Sequence, residues 1–440
     1  MRRINMKSIY YTVNKNIPLV ADADVVVVGG GPGGVCAAIA AARMGAKVIL
    51  AERYGALGGM ASFGEVAPFM SNHANGEYLT QGIFKEWRER MKTALASEIQ
   101  QQYFDESYMD VRSRIVDKNI SMLLLEEMCL ESGVKLLYHH NLCDVIMDGK
   151  EIKSAVFATK SGFSAVSGKV FIDSTGDGDL AVLSGCEAMI GNEDGLCQPM
   201  TTCFKLSGID RSRFPDRAGV NAIYDKIKAE GKIDCPRENV LWFNTWSGDT
   251  VHFNTTRIVK KSGINAVELS EAEIEGRRQV REYFEFLKKH VLGCENARIS
   301  SIAHHIGVRE TRRIKGLIVQ TAEDFDTAKK YPDAIAKASY CIDIHNPTGT
   351  GTFIKNMAPN DYYEISYRAI VPENSVNLLM GCRAISVDHI LHSSSRVMPP
   401  VCAVGEGAGT AAALAVLNNI EVADLDGNMV NAKLVEKGVL

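Results

Sequence analysis

Residues 23–52, ADVVVVGGGPGGVCAAIAAARMGAKVILAE, decide how this chain folds. The β-branched run at 23–28 stops at Gly29 and reads as a strand buried on both faces. The alanine-rich stretch 35–44 reads as a helix closed by Gly45, and KVILA (47–51) as a second buried strand. Together they make one βαβ unit of about 30 residues. Its turn carries Gly29-x-Gly31-x-x-Gly34, with Pro32 and Gly33 between the last two. The first glycine permits the tight turn, the second lets the backbone approach a pyrophosphate, and the third lets the helix pack close to the sheet. The helix N-terminus turns its positive dipole end toward the phosphates. Glu52, 18 residues after Gly34, stands where a carboxylate accepts hydrogen bonds from an adenosine ribose and disfavours a 2′-phosphate. The unit predicts a dinucleotide, NAD or FAD.

The segments beyond Glu52 separate the two. GALGGMAS (55–62) is a second loop of small residues, able to wrap a bulky ring. Residues 144–172 switch to period two and are divided by Asp148-Gly149 and Ser161-Gly162, which predicts a three-strand antiparallel meander. It leads into DSTGDGD (173–179), an arrangement unlike that of simple dehydrogenases. Helices are expected at 78–98 and 119–132, with a short strand at 134–138. Residues 191–364 differ in character, with Trp242, Trp246, strand-like segments at 201–206 and 251–259 and a charged helix at 270–290. They read as an inserted α+β domain. The flanking segments, 20–190 and 365–440, form one discontinuous domain, completed by a strand at 376–380 and a closing helix at 404–417.

Composition narrows the remaining classes. The 440 residues carry 49 Lys+Arg against 53 Asp+Glu, a net charge of −4 that lacks the basic excess of a nucleic-acid binder or an anionic-membrane partner. Eleven cysteines, an odd number with no CxxC, fit reduced thiols in a cytoplasmic chain better than a disulfide framework, a zinc site or an iron–sulfur run. The apolar stretch 401–417, interrupted by Glu406, falls short of the roughly 18 to 20 residues of a bilayer span. Asp173 to Ser184 lacks the final glutamate of a calcium loop, and neither HExxH nor GxSxG occurs, so no metal is expected.

The segments GGGPGG, AER, LGGMAS, FIDSTGDGDLA, GVRETRRIKG, NLLMGCRAIS and HSSSRVMPPVCAVGEGAGTAAALA together resemble the FAD-dependent oxidoreductases related to the flavoprotein subunits of fumarate reductase and heterodisulfide reductase, over residues 22–420. The resemblance implies a Rossmann-like FAD-binding fold of the glutathione-reductase and fumarate-reductase type, α/β with a β-meander and an inserted α+β substrate domain. By it, Gly29, Gly31, Gly34 and Glu52 hold the adenosine diphosphate half, with Arg53 and Cys143 grouped among the cofactor contacts. Gly58, Gly59, Met60 and Ser62 lie near the flavin. Thr175, Gly176 and Asp177 form a second nucleotide-contacting turn. Gly405, Gly407, Ala408, Gly409 and Thr410 start a helix aimed at the flavin's pyrimidine edge. That helix start would offer unpaired N–H groups to the reduced, anionic flavin. Gly381-Cys382-Arg383 departs from the family's Gly-Asp, and the cluster cysteines of the heterodisulfide branch are absent.

Side chains for the substrate remain. Arg309, Arg312 and Arg313 crowd one expected helical turn, where like charges at i, i+4 call for an anion. Arg309 and Arg312 are read as substrate-orienting groups, and His304, of the pair 304–305, as a site residue. His389 and His392, followed by three serines and Arg396, lie in the stretch that the resemblance puts near the flavin. A histidine there is suited to the proton of a C–H or O–H being oxidised. Arg257 and His345 are further substrate contacts. The expected activity is hydride redox of a small organic, carboxylate- or carbonyl-bearing substrate, with non-covalent FAD and an unnamed electron donor or acceptor. A flavin-bound electron-transfer subunit working with a partner protein, or a NAD-binding non-redox enzyme on a similar fold, stays open, as does the choice between monomer and homo-oligomer.

Overall fold

The computed structural model describes residues 15–95 and 116–440. Its main sheet runs in the order Lys135–Leu137, Val48–Ala51, Leu19–Val28, Gly162–Asp173, Glu151–Thr159, Asn141–Asp148. The first four strands are parallel and the last two join as the antiparallel meander. The long strand Gly162–Asp173 changes partner part-way. Its first half pairs with Glu151–Thr159, and its last residues, Phe171 to Asp173, pair in parallel with Leu378–Met380. The C-terminal strand thereby closes a sheet that begins with Leu19–Val28.

Val25 to Val27 are fully buried, as a two-sided parallel strand requires. The helix Pro32–Arg43 has Pro at its start and buries every residue from Pro32 to Ala41. It is wedged between the sheet and the helix Met398–Asn418. That last helix begins six residues before the expected 404 and spans 21 residues. By length and composition it could cross a membrane, which corrects the shorter apolar stretch expected. However, 83% of its apolar window is buried inside the protein. Its hydropathy answers to a core helix, packed on the sheet and on Pro32–Arg43.

A second hydrophobic core is built only from residues 204–297, including Phe204, Tyr224, Phe253, Tyr283 and Leu287. It joins the four-stranded sheet Trp242–Asn244, Val251–Phe253, Phe204–Ser207, Arg298–Ile302 to the helices Arg217–Ala229 and Ala266–His290. Ile314, Phe325, Ile335 and Tyr363 pack instead into the first core. The separately packed unit is therefore narrower than the 191–364 segment. Residues 309–313 also differ from the helical turn expected, because Arg312–Ile314 is a strand paired with Ala188–Ile190. The like-charge helical argument lapses with it.

Candidate active site

The parallel strands end together: Val28 is level with Ala51 and with Asp173, and Asp173 with Met380. Four turns, at Gly29, Glu52, Ser174 and Gly381, consequently meet at the carboxyl edge of the sheet. They open into a cavity of about 820 Å³. Gly29, at φ +103°, crosses so close to the next turn that a Cβ would sit 2.3 Å from the Ser174 carbonyl oxygen. A Cβ on Gly31, by contrast, would meet nothing within 4 Å. The backbone there faces open cavity, the cradle a pyrophosphate needs. Gly33 and Gly34 pack against the Gly381 and Gly29 carbonyls, leaving no room for side chains.

Glu52 lines this cavity, yet its two oxygens already accept from Gly30 N (2.6 Å) and Tyr54 N (2.8 Å). It braces the glycine turn, and each oxygen keeps a further lone pair for a ribose hydroxyl. Arg53 also lines the cavity, lying over the Tyr54 ring. Gly59 and Met60 face the cavity, whereas Gly58 packs against Ser62 and the Ser62 hydroxyl donates to Leu57 O at 2.8 Å. Ser62 shapes the loop rather than lining the cavity. Cys143 points away as well, its thiol donating to Val156 O, while its neighbours His140 to Leu142 line the wall. Thr175, Gly176 and Asp177 are held by the fully buried Asp173, which accepts from Thr175 N, Thr175 Oγ1 and Ala181 N at 2.8–2.9 Å. Burial pushes Asp173 up to about 6 despite those bonds. Arg383 pairs with Asp177 at 2.6 Å and reaches the cavity, so the residue that departs from the expected Gly-Asp still faces the site.

The helix Met398–Asn418 differs from the expectation at its start. Its N-terminus is at Met398, with Val397 as N-cap, and Val397, Met398 and Val401 line the cavity. Pro399 and Pro400 lack N–H groups, so the helix offers its dipole end with few free donors. Gly405, Gly407, Ala408, Gly409 and Thr410 lie inside the helix and none lines the cavity. Cβ atoms on Gly405 and Gly409 would fall 2.0 and 2.1 Å from the carbonyl oxygens of Gly33 and Ala37. These glycines let two helices touch. They support the nucleotide turn from behind instead of contacting a ligand.

At the other end of the cavity, Arg217, Arg237, Arg309 and Arg396 share the lining with Glu238, Tyr340, Asp343 and His345. Arg309 donates to Pro199 O (2.8 Å) and Thr201 Oγ1 (2.5 Å) and forms no ion pair with a carboxylate among the described residues. Burial, then the nearby charges of Arg396 and Arg237, pushes it down to about 9. Arg396 lies 3.7 Å from the Asp343 carboxylate. Tyr340 donates to that carboxylate at 3.2 Å, and His345 Nε2 lies 3.4 Å from it. Arg257 is not a cavity residue. It is buried behind, donating to the carbonyls of Gly349 and Gly351, to Thr352 Oγ1 and to His345 Nδ1, and pairing with Glu238 at 2.9 Å. Since a guanidinium only donates, His345 Nδ1 accepts and its proton sits on Nε2, toward Asp343. Burial and the Arg309 charge push His345 down to about 3. Burial alone would raise Asp343, but the His345 hydrogen bond and the charges of Arg396 and Arg309 hold it well below the usual carboxylate range.

Three histidines are placed elsewhere. His304 is exposed and outside the cavity, and its neighbour His305 takes the inward place, 3.4 Å from Arg53. His389 pairs with the buried Glu310 at 2.8 Å, away from the cavity. His392 is wholly buried, lines no part of the cavity and has neither ring nitrogen hydrogen-bonded; burial pushes it well below its ordinary value. Arg312 binds Asp179 at 2.7 Å, also outside the cavity. Sequence reasoning missed Arg217, Arg237, Glu238 and Tyr340. His345 was named from the sequence, and alternation along the strand Ile342–His345 puts Asp343 on the same face.

The family described as FAD dependent oxidoreductase matches residues 24–434. The chain belongs to that family. As an FAD dependent oxidoreductase it takes FAD as cofactor, and the residues fit: the open Gly31 cradle and the braced Glu52 suit the adenosine diphosphate half. Mitochondrial dihydrolipoyl dehydrogenase of Caenorhabditis elegans is 43% identical over 53 residues, 12% of this chain and 11% of that protein. This chain thus aligns with about a tenth of that curated relative's length. Among solved structures the chain is similar to a geranylgeranyl bacteriochlorophyll reductase-like protein from Thermoplasma acidophilum, at 12% identity and TM-score 0.45, covering 95% of this chain and 84% of that one. It is also similar to the myxobacterial FAD-dependent chondrochloren halogenase CndH, at 11% identity and TM-score 0.45, covering 94% and 78%.

Proposed function

We propose that this FAD dependent oxidoreductase carries out two-electron redox on a small organic anion bearing a carboxylate or a carbonyl, with FAD held non-covalently. The observation that carries the reading is charge: four arginines, Arg217, Arg237, Arg309 and Arg396, line the cavity beside the carboxylates Glu238 and Asp343, and Glu238 is already paired with Arg257. A partly desolvated excess of positive charge is costly unless an anion completes it. Bound FAD supplies a two-electron, hydride-type acceptor or donor.

The chain's own residues do the rest. Arg309 and Arg396 orient the anion, and Arg309 has no competing carboxylate of its own among the described residues. Asp343, ionised and with Tyr340 and His345 at its carboxylate, takes the substrate proton. An anion seated on the arginines offsets part of the field that holds Asp343 low, so its basicity rises as substrate arrives. This network replaces His392 as the proton-handling group, because His392 has no path to the cavity surface.

The test is an anaerobic screen of small carboxylates, neutral analogues and amines, with no partner protein, following loss of the flavin's visible absorbance. Bleaching by carboxylates or oxo-acids alone is expected. Bleaching by neutral or cationic compounds and by no anion would contradict the reading, and bleaching by nothing until a redox protein is added would favour an electron-transfer subunit.

A further inference from the structure

The hairpin that carries Asp343 and His345 presents a second chemistry on the same face. Its strands Ile342–His345 and Thr352–Lys355 are antiparallel, with Asp343 opposite Ile354 and His345 opposite Thr352. Residues directly opposite in such a pair project from the same face. The cavity side of the hairpin is therefore Asp343, His345, Thr352 and Ile354, and all four line the cavity. Three are polar and held in place: Thr352 donates to Glu238 at 2.9 Å, and His345 lies between Arg257 and Asp343. Ile354 is the exception. It is 58% exposed although it stands beside the acid at the cavity rim. Leu241 and Phe243 are likewise only half-buried and also line the cavity. Arg217 lies over the Phe243 ring, 5.5 Å from its centroid, and donates to Trp242 O at 2.7 Å, which fixes that wall.

We infer that the substrate is an amphiphile: its anionic end seats on Arg309 and Arg396, and an apolar body of several carbons, aliphatic or aryl, leaves across Ile354, Phe243 and Leu241. This rests on the anionic reading of the site and adds the class of molecule attached to the anion. The physical reason is that a solvated acid–arginine site needs no apolar rim, and an isoleucine opposite Asp343 gains by being covered. A short, fully polar anion would fill the inner half and leave the rim wet.

The experiment uses the FAD-loaded full chain and straight-chain monocarboxylates from acetate to octanoate, with Kd read from perturbation of the flavin spectrum and by calorimetry. Affinity is expected to tighten about threefold to fourfold per methylene over the middle of the series. Ile354→Ser and Phe243→Ala should flatten that slope while leaving acetate unchanged. Ile354 is more than half exposed, so its replacement leaves the cores intact. Acetate and octanoate binding alike, or a slope that survives Ile354→Ser, overturns the amphiphile while sparing the anion site. If no carboxylate of any length binds, both readings fall.

Discussion

Arg309 is half-buried at the cavity wall, and burial with the charges of Arg396 and Arg237 pushes its guanidinium below its ordinary value without removing its charge. Arg309→Ala should raise KM for an anionic substrate by about 30- to 1,000-fold. An unchanged KM in that variant would contradict the assignment. Glu406 poses the opposite case, inside the C-terminal helix and 6% exposed. Its carboxylate accepts from Ile83 N at 2.9 Å, and burial pushes it up to about 7. A raised carboxyl contributes stability that is complete below its unfolded value of 4.5 and is lost as pH rises through about 7. Glu406→Gln should therefore stabilise the protein at pH 8, by up to about 3 kcal/mol, and flatten the stability profile between pH 5 and 7. Urea titrations across that range read it directly.

At the scale of elements, glycines of one motif class do different work according to what faces them. Gly31 fronts the cavity and Gly405 fronts a neighbouring backbone carbonyl. Gly31→Ala should leave the apoprotein's urea midpoint unchanged and weaken FAD binding, because the added methyl meets only the ligand. Gly405→Ala should lower apoprotein stability by ~1–3 kcal/mol or more, since the methyl meets the Gly33 carbonyl and backbone cannot step aside cheaply. FAD affinity falls there too, because Gly33 belongs to the nucleotide turn. Equal stability losses for the two variants would show that the helix contact has been misplaced. The sequence alone could not separate these roles. Both read as small residues in a glycine-rich family motif, and only the packing of Met398–Asn418 on Pro32–Arg43 shows that Gly405 meets a carbonyl while Gly31 meets none. The same limit explains the histidines. His304 and His305 are adjacent, and the chain decides which turns inward only through the bond from His305 N to Phe63 O, across 242 positions of sequence.

For the whole molecule, one cavity is lined by Gly31 and Met398 from the segments that build the first core, and by Arg237, Leu241 and Phe243 from the 204–297 segment that carries the second. FAD bound there ties the two cores to one ligand. Calorimetry at about 1,000 times the Kd of FAD should show about 4 kcal/mol of added stability and a single unfolding transition. A second core that melts independently of FAD would contradict that coupling. The βαβ unit, the meander and the second glycine loop were legible from residues 23–179, because each is a local pattern of burial period and turn chemistry. The nucleotide end came with them. The substrate end came only in part: Arg309, Arg396 and His345 were named, whereas Arg217, Arg237, Glu238 and Tyr340 were not, since they come from segments without a shared motif. By itself the sequence determined the dinucleotide cradle, whose demands fall on residues next to one another in the chain. Only the tertiary structure decided which charges meet at the far end of the cavity, because the field around Asp343 is a sum over side chains that folding, and not spacing, brings within a few ångströms.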